Sequence, residues 1–166
     1  MFRNDKELTS AFGRRTVESV TKLVFAAGSI LLLAYLVSLL PGIERVVPGT
    51  EVAIMDLVRV VAAFLVAGAL LYAASGLAGM TALVLGEPPD LVEHVASIVH
   101  WLVVLAAVLI AHWGAAPLVV GLAGGGGWLV DLAFLLLAAG PVILIAARLY
   151  AMMDPMADHV ADRMTE

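Results

Sequence analysis

A few ionisable side chains interrupt an otherwise apolar sequence of 166 residues, and any chemistry must begin with them. Glu93, Ser97 and His100 are spaced by four and then three residues, so on a helix they form one stripe, which Val104, Ala107 and Ala111 continue. Imidazole exchanges its proton near neutral pH, so His100 on such a stripe suits a proton path; a neutral histidine bonded to a neighbouring helix is the plainer reading. Asp56 and Arg59 are three apart and can pair on one helix face. They read either as a local ion pair reaching toward the interface or as part of an ion route lined by Arg59. Asp131 comes three residues after Trp128, where a carboxylate can cap a helix start and meet the positive end of its dipole. The alternative is a partner on another helix, Arg59 or His112. Asp56, Arg59, Glu93, Ser97, His100, His112 and Asp131 are together the candidate lining of an ion or proton route.

Other chemistries find little support. The chain has no cysteine, which removes disulfides, thiol catalysis and thiolate-bound metals. His94, His100 and His112 fall in one apolar run, the outer two about 27 Å apart if that run is helical, and His159 lies near the C-terminus. Ligands for a haem or metal must converge, so no metal or cofactor is expected. There is no serine elbow and no paired set of catalytic aspartates, so the chain does not read as an enzyme. A formal charge of -5 without a basic face argues against nucleic acid as a partner.

The elements that hold these residues follow from hydropathy. Hydrophobic residues make up 63% of the chain, charged residues 14%, and mean hydropathy is +1.05. A soluble domain holds roughly 45–50% apolar residues, so an all-α, polytopic integral membrane protein is predicted, with the lipid bilayer as its first partner. A helix needs about 20 apolar residues to cross a bilayer. Four runs qualify: 20–40, 52–85, 91–113 and 128–153. Their stops are Pro41-Gly42, Gly86 with Pro88-Pro89, Gly114, and Pro155. The second run is the longest and is expected to tilt. Residues 1–19 form a lead-in with Phe2, Leu8, Phe12 and Val17 among charges, either an amphipathic surface helix or a solvated segment, and 154–166 form a polar tail.

Basic residues collect on the cytoplasmic side of membrane proteins. Arg3, Lys6, Arg14, Arg15 and Lys22 precede or open the first span, and Arg148 and Arg163 close or follow the fourth, while the connections 41–51 and 114–127 hold Arg45 alone. Both termini are therefore expected in the cytoplasm, with the chain a multi-pass protein of the cell membrane. The first apolar run is long enough to span and lacks a small-residue cleavage site, so it reads as a retained anchor.

The segment "GLAGGGG" at 121–127 has no strand before it and no lysine or arginine nearby, unlike a phosphate-binding loop. It reads as an apolar connector anchored by Trp113 and Trp128, with a re-entrant loop as the alternative. Gly68, Ser75, Gly76 and Gly79 on the second span, with Ala107 and Ala111 on the third, are small residues that let helices approach closely in lipid. Gly140-Pro141 predicts a kink or hinge in the fourth span.

The order of these features, with "LVAGALLYAASG" at 65–76, "ASIV" at 96–99 and a last span bounded by Trp128 and Arg148-Leu149, resembles the YqhA-type family of small, uncharacterised four-helix membrane proteins. The resemblance covers nearly the whole chain through short apolar motifs, while the glycine run and Arg59 depart from the family pattern. It implies a four-helix membrane fold and carries no functional residues over. The sequence thus leads to two expectations. One is a homo-oligomeric, channel-like or transport-like protein that moves ions or protons. The other is a non-conducting accessory or scaffold subunit that docks a membrane protein partner through small-residue helix faces.

Overall fold

The computed structural model describes the backbone of residues 3–85, 89–123 and 126–165, and the side chains of residues 17–81, 92–123 and 126–153. The predicted stop at Gly86 and Pro88, residues 124–125 of the glycine run, and the side chains of most of the lead-in and of the tail, His159 included, lie outside the described residues. The described residues form four helices: α1 (Arg3–Ser38), α2 (Ile54–Leu85), α3 (Pro89–Ala123) and α4 (Gly127–Thr165). Each contains a stretch long and apolar enough to cross a membrane: Val17–Ser38, Ile54–Thr81, Val92–Ala123 and Gly127–Met153. This is a membrane protein of four spanning helices.

Two helix ends differ from the sequence expectation. Gly114 does not stop α3, which continues through it and through Pro117 to Ala123, so most of the predicted connection 114–127 is helical. Pro155 does not stop α4, which runs on to Thr165. Within an apolar span glycine and proline are poor stop signals, because neighbouring helices can re-satisfy freed backbone groups, whereas Pro155 lies beyond the span Gly127–Met153 and nothing in the structure explains why α4 continues through it. The second helix is also the shortest of the four at 32 residues, against 36, 35 and 39 for α1, α3 and α4. α4 runs unbroken through Gly140 and Pro141.

Consecutive helices are antiparallel, and the α1–α2 connection is folded rather than loose. Gly42 and Gly49 take φ of +88° and +84°, the left-handed region that side chains disfavour. Between those turns the Val47 N–H donates to the Val52 carbonyl at 2.9 Å, and the Ile54 and Met55 N–H groups donate back to Arg45 and Ile43, each at 3.0 Å. The start of α2 is thereby tied to its own lead-in. Asp56 completes the tie, its Oδ2 accepting the Ala53 N–H at 3.1 Å across the first turn.

The helices form an open four-helix bundle, a row in which α2 meets α1 and α3, and α3 meets α2 and α4. Among the described residues α1 touches neither α3 nor α4, and α2 does not touch α4. The tightest seam lies between α2 and α3 and is built from small residues: Ala67 on α2 packs with Ala107 and Ala111 on α3, and Ala63 lies against Gly114, these alanines all being buried. Close approach of backbones is what holds helices together in lipid, where apolar area alone gives no drive. Gly114 marks the closest point, since a Cβ there would fall 2.2 Å from that of Ala63. At the far end of the seam Gly121 repeats the pattern, its absent Cβ 3.0 Å from Val52 Cγ2. Leu70 and Phe134 pack over Ala67, Ala107 and Ala111 and extend the core toward α4.

An open row leaves much surface uncovered. The accessible area is 11550 Å², whereas a compact monomer of this mass would expose about 7,800 Å². Large apolar side chains account for much of it, including Phe25, Tyr35, Tyr72, Leu136 and Ile143. Such a surface belongs in lipid or against other helices.

Candidate functional site

α3 packs against α2 on one side and α4 on the other, and its polar side chains meet partners on both. Neighbouring residues on it turn to different partners. Trp113 faces α2, where the Arg59 guanidinium lies 5.6 Å from its ring centroid. Arg59 also binds Asp56, Nη1 to Oδ1 at 2.9 Å, so its charge is balanced within one helix turn. This is the local ion pair foreseen in the sequence, with an aromatic face added that the sequence did not disclose.

His112 turns the other way, to α4, where its Nε2 lies 2.9 Å from Oδ1 of Asp131. Phe134, one turn further along α4, meets the imidazole edge-on, with centroids 5.1 Å apart. The pair opens on a recess of about 220 Å³ lined by Val108, Leu109, Phe134, Leu135 and Ala138. Asp131 does not cap α4, as its position after Trp128 had suggested: the helix begins at Gly127 and has no acidic residue in its first turn. Its carboxylate instead reaches across to α3, the second reading of the sequence.

The stripe of Glu93, Ser97 and His100 divides. Its continuation, Ala107 and Ala111, is buried in the core, while Ser97 and His100 are half-buried on the same face and Glu93 is exposed. His100 stands edge-on to Trp101 at 5.3 Å. Glu93 leans to α4, with Oε1 3.8 Å from Nη1 of Arg148, and the same nitrogen is 3.4 Å from Nδ1 of His94. Sequence reasoning passed over this second interhelical cluster. The signal was present: in an antiparallel pair, the first turn of the third span and the last turn of the fourth must meet.

The predicted packing residues also divide. Ala107 and Ala111 are buried at the seam, and Gly76 is half-buried. Gly68, Ser75 and Gly79 are exposed on α2, and a Cβ on either glycine would meet nothing within 4 Å. Ser75 and Gly76 border a recess of about 530 Å³ between α1 and α2, with Ser19, Leu23 and Tyr72. Gly140 likewise faces open space, and Pro141 beside it is buried. Among the described residues no three histidine or acidic side chains come together as a metal site would require.

No family model matches this chain, and neither curated proteins nor solved structures show a match to it. Its function is therefore argued from the site. What the arrangement offers chemically is two polar contacts on the α3–α4 seam, His112–Asp131 and Arg148–Glu93/His94, one toward each end of the helices. They are separated on α4 by about 25 Å of apolar helix. On the side of His112 and Asp131 that stretch begins with the recess lined by Phe134, Leu135 and Ala138 on α4 and Val108 and Leu109 on α3.

Proposed function

We propose that this chain is a transport-type membrane protein that works as an assembly of copies and moves an ion or proton along the α3–α4 seam. The observation that carries this reading is the pair of polar clusters at opposite ends of that one seam, with an apolar stretch between them. Polar mouths around a dewetted constriction are how narrow pores admit and gate ions. Ionisable groups at membrane depth are costly and are kept where they act on a passing charge. One copy encloses no lumen, because its helices lie in an open row, so the route runs between copies closed by symmetry. The excess of lysine and arginine near both termini favours their placement in the cytoplasm, in the cell membrane.

Ion flux into liposomes carrying the purified protein tests this, with K⁺, Na⁺, Cl⁻ and H⁺ gradients compared. Flux whose selectivity or pH dependence changes in His112→Ala and Asp131→Asn, at unchanged oligomer size, is the expected result. Protein that is folded and conducts none of the four above empty liposomes overturns it. That outcome would favour a second reading, supported by Gly68, Ser75 and Gly79. These three small residues lie exposed along α2, as a helix offers when it docks another membrane subunit.

A further inference from the structure

The geometry points to a phospholipid-binding groove between α1 and α2, with the phosphate of the headgroup seated at one end and an acyl chain laid toward the other. The groove is separate from the α3–α4 seam, so its occupancy stands or falls independently of ion movement.

Two recesses of different chemistry lie between these helices. One, of about 530 Å³, is bordered by the hydroxyl-bearing residues Ser19, Tyr72 and Ser75, with Leu23 and Gly76. The other, of about 410 Å³, is lined by Ile30, Leu33 and Val37 on α1 and by Leu57, Val61 and Leu65 on α2, and every side chain around it is a hydrocarbon. Both have the size of small-molecule sites, roughly 300–1,000 Å³. A polar recess followed by an apolar one is the division that an amphiphile carries in its own structure.

The recesses share the same helix stripes. On α1, Leu23, Ala27, Ile30, Ala34 and Val37 follow one another at alternating spacings of four and three, and all are half-buried. On α2, Val61, Leu65, Gly68, Tyr72 and Ser75 repeat that pattern, and all are exposed. Between the two recesses the stripes hold Ala27 and Gly68, and a Cβ on Gly68 would meet nothing within 4 Å, so the wall of α2 is open there. The step from Tyr72 to Leu65 is about 10 Å along the helix, less than the roughly 15 Å of hydrocarbon in one leaflet. An acyl chain whose headgroup lies beside Tyr72 therefore reaches the apolar recess. A docked helix fits the track less well, because it needs small residues along its whole length. The apolar end offers the branched and exposed Leu33, Val61 and Leu65 instead, and gaps between such side chains suit a flexible chain.

The polar end has donors to offer. A serine or threonine hydroxyl in a helix commonly donates to a carbonyl about one turn back, and Ser29, Ser38 and Thr81 do so at 2.8, 2.6 and 2.9 Å. Among the described residues the exposed Ser75 hydroxyl makes no such bond, which leaves its proton for an anionic oxygen in the recess. Lys22 follows Ser19 by three residues and so flanks the same end of the groove. Its ammonium meets Glu18 at 2.6 Å, in a pair whose side chains are 73% and 62% exposed. So open an ion pair is weak, and a phosphate oxygen, for which lysine is a common partner, can share Lys22 with Glu18 or take it.

The test is native mass spectrometry of the full-length protein in detergent, titrated with dioleoyl phosphatidylglycerol and, separately, with dioleoylglycerol, which has the same chains and no phosphate. One phosphatidylglycerol per chain is expected to bind at least about tenfold more tightly than the diacylglycerol, the worth of a single hydrogen bond to a charged group. Gly68→Leu, which fills the groove at an open position, Ser75→Leu and Lys22→Gln should each lose about that factor. Gly140→Leu places the same side chain at an equally open glycine of α4 and should bind as the wild type does. Circular dichroism checks that each variant is folded, and Lys22→Gln, a change at an exposed helix position, keeps the test decisive should a groove variant unfold. Equal binding of the two lipids, or equal binding by the wild type and every folded groove variant, leaves only a general lipid coat and overturns the proposal. Loss of a second copy or another subunit in Gly68→Leu, with phosphatidylglycerol binding unchanged, gives the groove to a helix and overturns it as well.

Discussion

Adding one methyl group at Gly114 would test the close packing of α3 on α2. A Cβ there lies 2.2 Å from the Ala63 Cβ and 3.3 Å from the carbonyl oxygen of Arg59. Carbon atoms rest at about 3.5–4.0 Å, so α2 and α3 must separate by more than about 1 Å at this level. Neither neighbour is the tip of a flexible side chain that could swing aside. Overpacking of this kind costs about 1–3 kcal/mol, and the better helix propensity of alanine returns up to about 1 kcal/mol. Gly114→Ala is therefore expected to lose about 1–2 kcal/mol, the steric term being the larger. Gly68→Ala is the control: it carries the same propensity gain with nothing within 4 Å, so it should be neutral or more stable. Reversible unfolding of the purified protein in mixed micelles, followed by far-ultraviolet circular dichroism, measures all three. Placing Ala63→Gly beside Gly114→Ala restores room for one methyl and should recover most of the loss relative to Ala63→Gly alone. If Gly114→Ala proved as stable as Gly68→Ala, the close approach of the two helices would be refuted.

Two further outcomes follow from the connection between α1 and α2. Asp56→Ala removes both the acceptor for the Ala53 N–H and the partner of Arg59; a loss of about 1 kcal/mol is expected, as for helix caps generally, whereas Asp56→Asn should keep most of the cap and lose the ion pair. Equal losses for the two in the same unfolding assay would contradict the capping role. Gly42→Ala places a side chain at φ of +88° and brings its Cβ within 3.3 Å of Arg45 Nε; a loss of about 1–2 kcal/mol is expected from the left-handed backbone alone. An unchanged unfolding midpoint would show that the turn is not held as described.

The spans were legible because a bilayer-crossing helix must be apolar over its whole length, and that signal needs no knowledge of neighbours. Helix ends were less so. Gly114 carries the type of a stop residue but serves as a contact surface, and only the position of Ala63 across the seam distinguishes the two uses. Asp56 and Arg59 were readable as a pair because both lie within one turn of one helix. The partner of Asp131 could be narrowed only to Arg59 or His112 beside the capping alternative, since His112 is nineteen residues away and their meeting depends on the length of the turn between α3 and α4. Arg148 escaped notice because a basic residue near a span end is what the bilayer interface favours on its own, and nothing local says that Glu93 and His94 await it.

The row of helices also bears on how the protein comes to be made. Among the described residues each helix contact joins a helix to the one synthesised just before or just after, so none of these contacts has to wait for a distant part of the chain, and for them the entropy of closing long loops is not met. Once α2 emerges it has α1 to meet, and α3 then builds the alanine seam against a helix already in place. Assembly can keep pace with translation, hairpin by hairpin. For the same reason a cut in the connection 39–53 would leave α2, α3 and α4 with every contact they make to one another, and α1 as a helix that could be supplied separately.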